Sequence, residues 1–151
     1  MEETVLRTPE EAMRRLLDLL LAKDMDAVAD LWAEDGTVEF PFAVGASPRR
    51  LIGREEIRGY LAGFPAVYDV REIPAITVYP TERPDTAVVE YTAKGFSVRT
   101  RDPYQMDYIV VIAVQAGSIT GFRDYWNPIA NATAAGTLPH LLKALHSENA
   151  R

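Results

Sequence analysis

Between positions 9 and 22 apolar residues return at Ala12, Leu16, Leu19 and Leu20, the three-and-four spacing that lines one face of a helix. Thr8 stands where an N-cap belongs and Pro9 at the first helical position, while Glu10 and Glu11 complement the positive end of the helix dipole. A shorter helix is expected over about 26–33, carrying Val28, Leu31 and Trp32 inward and ending at Asp35-Gly36. The period then falls to two: 37–42 reads as a strand with Val38, Phe40 and Phe42 on one face, and Pro41 marks a sheet edge or the strand's end. A polar connection over 45–50 follows. Gly53-Arg54-Glu55-Glu56-Ile57 opens another helix that reaches Gly63-Phe64-Pro65, with Ile57, Tyr60, Leu61 and Phe64 on its apolar face.

From Asp69 onward the texture is β-rich, in segments over roughly 70–79, 86–99, 105–115 and 118–127. The short Ala116-Gly117 connection makes the last two a hairpin. A closing helix over 131–146 is interrupted near Gly136-Thr137-Leu138-Pro139. Helix, helix, strand, helix and then long antiparallel strands predict an α+β domain, its helices packed on one face of a curved, mostly antiparallel sheet. A single domain over 1–151 is expected, with a space between sheet and helices that is either filled or left as a pocket.

Composition narrows the chemistry. A chain of 151 residues can bury a core without disulfide or metal support, and there is no cysteine to supply a disulfide, a thiol nucleophile or a thiolate metal site. With 22 acids against 16 bases, net −6, the surface is poorly suited to phosphate backbones or anionic lipid, so neither nucleic acid nor membrane is an expected partner. The apolar run over 16–22 is broken by Asp18 and too short for a membrane span or a signal sequence, and a cytoplasmic location is expected. His140 and His146 are six apart, not on one helical face, which argues against a metal site. The serines sit in no nucleophile elbow, and no Gly-rich phosphate loop occurs.

Three stretches taken together carry a family resemblance: Leu31-Trp32-Ala33-Glu34-Asp35-Gly36-Thr37-Val38-Glu39-Phe40-Pro41, Ile52-Gly53-Arg54-Glu55-Glu56-Ile57, and Gly117-Ser118-Ile119-Thr120-Gly121-Phe122-Arg123-Asp124-Tyr125-Trp126-Asn127-Pro128. In order and spacing the chain resembles the SnoaL-like branch of the nuclear transport factor 2-like superfamily, which holds polyketide cyclases, ketosteroid isomerase relatives and the phenazine biosynthesis proteins PhzA and PhzB. The resemblance implies a cone-shaped α+β barrel around an apolar pocket, with no cofactor, and a homodimer formed through the sheet. Outward apolar positions such as Ile109 and Val111 agree with a covered second face. Matching the ketosteroid isomerases places Phe40 at their base position, and Leu16 and Val110 where they keep oxyanion donors. None of these can move or donate a proton, so that particular chemistry is not expected.

Phe122, Asp124 and Trp126 alternate on the last strand, on the side that the resemblance turns toward the pocket. A carboxyl between two aromatics in an apolar cavity has its charged form disfavoured, which brings its pKa toward the range useful for proton transfer. Asp124 also stands where the phenazine proteins carry a Glu and where the resemblance to polyketide cyclases implies a general acid/base. Tyr60 replaces the His of the phenazine proteins and Phe64 a small hydroxyl residue, with Tyr60 able to orient a substrate carbonyl. Phe40, Phe64, Val89, Tyr91, Tyr108, Val110, Phe122 and Trp126 are the expected substrate-binding residues.

The leading expectation is a cofactor-independent isomerase or cyclase of secondary metabolism, with Asp124 shuttling a proton on an apolar cyclic or ketone-like substrate. A non-catalytic, dimeric small-ligand-binding module is the alternative. Epoxide hydrolysis stands lower, because the resemblance to limonene epoxide hydrolases would require an Arg and a second Asp where this chain has Val89, Tyr91 and Ala93.

Overall fold

The computed structural model describes residues 8–149. Helix α1 (Pro9–Leu21) begins as its sequence dictates: the Thr8 hydroxyl accepts the Glu11 amide at 3.1 Å, and Pro9 occupies the first turn. Its buried stripe of Ala12, Met13, Leu16, Leu17 and Leu19 lies against the sheet. Helix α2 (Met25–Ala29) is capped by the Asp24 carboxylate and is shorter than its apolar spacing suggests. Trp32, expected on that helix, instead opens strand β1 (Trp32–Glu39) and is 2% exposed. The helical spacing was misleading because a bulge between Trp32 and Thr37 lets the indole reach the core from an extended backbone.

β1 stops at Glu39, in keeping with Pro41 as a strand end, and the chain turns so that the Ala43 amide bonds the Phe40 carbonyl. Phe40 stays buried, but the turn carries Phe42 out of the predicted inward face; it is 55% exposed and packs edge-on against Tyr125. The 45–50 connection ends in a short strand the periodicity did not show, β2 (Arg50–Ile52), too brief to display a period. Helices α3 (Arg54–Leu61) and α4 (Phe64–Val67) follow. Arg58 of α3 reaches Asp26 and Asp30 as well as Glu55 of its own helix, which ties α3 to α2.

Strands β3 (Tyr68–Pro80), β4 (Thr86–Ser97), β5 (Pro103–Gln115) and β6 (Ser118–Tyr125) follow the β-rich segments closely. Ala116 and Gly117, at φ of 50° and 80°, make the β5–β6 turn whose twist suits a hairpin. The sheet order is β2-β1-β6-β5-β4-β3, antiparallel throughout except for the β1–β6 pair. The expected barrel is therefore a curved sheet that does not close, with β2 and β3 as its edges and the helices across the concave side. Helix α5 (Pro128–Ala135) begins three residues earlier than expected, because Asn127 caps it, and α6 (Leu138–Asn149) follows a left-handed Gly136. Among the described residues no helix is long and apolar enough to cross a membrane.

Candidate functional site

Alternation on β5 sends Tyr104, Met106, Tyr108, Val110 and Ile112 to the concave face, and on β4 it sends Val89, Tyr91 and Ala93. On β6 it sends Phe122 and Asp124 there, with Trp126 just beyond the strand. Where helices press on this face the side chains make solid core. Toward the end held by Phe40, Tyr60 and Phe64 they leave a cavity of about 140 Å³.

Eight of the ten residues expected at the site line this cavity: Asp124, Tyr60, Phe40, Phe64, Tyr91, Tyr108, Phe122 and Trp126. Val89 and Val110 do not. They share the correct face and sit in register with Asp124, but both are fully buried in the core, so neither lines the cavity as the sequence led one to expect. Alternation assigns a face and cannot tell how far along it the helices leave room.

The rings are mutually packed. Tyr91 stacks on Tyr108 at 4.8 Å and 14°, Trp32 leans on Phe122 at 5.3 Å, and Phe40 touches both Tyr60 and Trp126. The Tyr108 hydroxyl is paired with that of Tyr104 at 2.5 Å. Tyr68 bonds the side-chain oxygen of Asn131, which pins α5 to the rim. Tyr68, Asn131 and Ser47 line the cavity without having been singled out in the sequence, and Trp32, expected only to point inward, lines it too. Tyr68 lies just before the segment read as β-rich, and Asn131 looked like an ordinary helix start.

Among the described residues Asp124 is the one acidic or basic side chain in the cavity wall. Its Oδ1 is buried and has no hydrogen-bond partner among the described residues. Burial pushes its carboxyl up to about 7, because the apolar surroundings penalise the anion. Tyr60 and Tyr91 are held above the ordinary phenol value, first by burial and then by the Asp124 charge. Neither hydroxyl has a hydrogen-bond partner among the described residues, so both remain neutral donors available to a ligand. Tyr60, 41% exposed, stands at the rim, whereas Tyr91 is buried. The contrast with Asp69 is instructive. That carboxyl is held well below its usual range by Arg71, Lys23 and Arg101, all bonded to it, and has no capacity left for chemistry.

Among the described residues no group of His, Asp and Glu side chains is placed to hold a metal ion. An aromatic, desolvated cavity with one unpartnered carboxyl and two free phenols can bind a small apolar molecule, give or take a proton, and donate to an oxygen.

Comparisons with known proteins agree with this architecture. A PhzA/B-like protein of Pseudomonas aeruginosa is 32% identical over 127 residues, 84% of this chain and 89% of the relative. A crystal structure of a presumptive isomerase from Bacillus subtilis matches with a TM-score of 0.82 and 34% identity, over 85% of this chain and 93% of that one. A protein of ketosteroid isomerase-like fold from Catenulispora acidiphila, crystallised with trimethylamine, shares the fold at a TM-score of 0.68 and 23% identity, over 86% and 95% of the two chains. Residues 13–122 match the SnoaL-like domain family. With a curved sheet and helices enclosing an apolar cavity, and with most of its length matched, the chain belongs to the SnoaL-like family.

Proposed function

We propose that this chain is a cofactor-independent isomerase or cyclase in which Asp124 moves a proton on a compact, mostly apolar ketone. The observation that carries the reading is the Asp124 carboxyl itself, buried in an aromatic cavity with its Oδ1 unpartnered. A structural carboxylate in such a place would be expected to have a cation or amides around it, as Asp69 does. As carboxylate, Asp124 takes the proton from the carbon beside the carbonyl. The electron pair moves onto the carbonyl oxygen, which accepts hydrogen bonds from Tyr91 and Tyr60. Asp124, now a carboxylic acid, returns the proton to the γ carbon of a β,γ-unsaturated ketone, whose C=C moves into conjugation as the carbonyl re-forms, or, in a cyclisation, to the oxygen of a second substrate carbonyl after the enolate carbon has attacked its carbon and that C=O π pair has moved onto oxygen. A pKa near the working pH suits both halves of that cycle.

The test is α-proton exchange of six-membered cyclic ketones in deuterated buffer, followed by NMR. Exchange above the buffer rate is expected, with kcat/KM rising with pH and levelling above about 7, as the basic form of Asp124 fills. Ketones that bind without exchanging would leave a ligand-binding role. That second reading is favoured by one observation: aromatic faces around a carboxylate also suit an amine cation, and the Catenulispora protein was crystallised with trimethylamine.

A homodimer through the outer face of the sheet belongs to the same reading. Tyr79, Val88 and Val111 lie side by side across β3, β4 and β5, and Ile109 beside them is 45% exposed. Sedimentation is expected to give twice 16.8 kDa at micromolar concentration; a species of single mass would contradict it.

A further inference from the structure

A second cavity of about 410 Å³ opens beside the first, between loop 44–47 and helices α5 and α6. Ser47, Trp126 and Asn131 stand in the walls of both, so the two spaces adjoin at these three side chains, and a passage between them would be a neck that these form. The bond from Tyr68 to the Asn131 side chain holds one side of that neck. An apolar cavity of about 150 Å³ is known to accept benzene, and the inner cavity, at about 140 Å³, is of that size.

The two chambers differ in character. Aromatic rings and Asp124 wall the inner one, which is small; the outer one is larger and walled by short aliphatic side chains such as Ala46 and Ala132, with Thr137 and His140 among its polar residues. The inner volume is of the size that holds one ring, and the outer one has no acid among its described lining residues.

We infer that the site is bipartite: its substrate is a one-ring or equally compact carbonyl head seated against Asp124, bearing a neutral, largely apolar chain that passes the Ser47–Trp126–Asn131 neck into the chamber under α5 and α6. The inference rests on the proton-transfer reading for the orientation of the head. The chain supplies the binding energy that a small head lacks and holds the carbonyl carbon in one register relative to the carboxyl.

The experiment compares the binding of phenol and para-pentylphenol by isothermal titration, phenol standing in for the enol form of a one-ring ketone. Wild type is expected to bind para-pentylphenol about 30-fold tighter than phenol, since part of the chain leaves water for the outer chamber. Ala46→Trp, a change on an exposed loop, and Ala144→Trp, entering from α6, both fill that chamber. Each is expected to reduce the preference to about threefold while phenol affinity stays within about twofold. A preference that survives both substitutions, or its absence in wild type, overturns the inference. These affinities report binding alone, so a failure of proton transfer leaves them unchanged, and intact ketone exchange without a chain preference overturns the bipartite site only.

Discussion

Asp124→Asn is expected to lower ketone exchange by about 10²–10⁴-fold and, at the same time, to make the protein more stable above neutral pH. The two effects have one cause. The unfolded chain titrates this carboxyl near 3.8 and the folded chain near 7, because burial penalises the anion. Between those values the folded state holds a proton that the unfolded state has released, so rising pH removes stability. The loss is absent below about pH 4 and complete above about pH 7. An amide has no charge to desolvate, and at pH 8 the variant is expected to gain on the order of 2–4 kcal/mol over wild type. Urea denaturation of both proteins at about pH 4 and pH 8 measures it. The comparison isolates Asp124, since the carboxyls held low by cations, Asp69 above all, titrate alike in both proteins and lose their contribution only as pH falls through the acid range. Equal stability at pH 8 would mean a hydrated carboxylate, and equal turnover would remove Asp124 from the chemistry.

Gly95→Ala is expected to be the most damaging single methyl group in the sheet. A Cβ built there lies 1.9 Å from the Asp69 carbonyl oxygen and 2.9 Å from the Val70 Cα, and main-chain atoms cannot step aside as a flexible side chain can. Gly95 pairs with Val70 on β3 and Tyr104 on β5, next to a bulge between Val70 and Glu72. Pushing β3 away would part Tyr68 from Tyr104, whose tilted rings lie 4.8 Å apart, and draw Asp69 from its three cations. A loss of about 3 kcal/mol is expected, read as a lower urea midpoint. Alanine tolerated at wild-type stability would show that β3 can shift and that the close approach is not needed.

Much of this architecture is legible in local chemistry. Thr8-Pro9 before a three-and-four stripe, the Ala116-Gly117 turn between alternating strands, and the alternation of Phe122, Asp124 and Trp126 each report on a few adjacent residues, where backbone geometry alone relates sequence to direction. The errors fall where distant contacts outweigh local pattern. Trp32 has helical spacing from Val28 yet lies on a strand, because β6 and the core claim it through a bulge. Phe42 keeps period two with Phe40 but is turned outward beyond the end of β1.

The candidate site divides in the same way. Which face Asp124 occupies, and that its neighbours there are aromatic, follows from the order of residues along one strand. Tertiary structure alone decided that Val89 and Val110, on the same face and in register with it, are sealed in the core while Tyr91 and Tyr108 open onto a cavity. It alone brought Tyr68, Asn131 and Ser47, from three separate segments, to that cavity's edge. A strand's periodicity sets the direction of each side chain, but whether that direction ends in packed core or in open space depends on where helices from elsewhere in the chain come to rest.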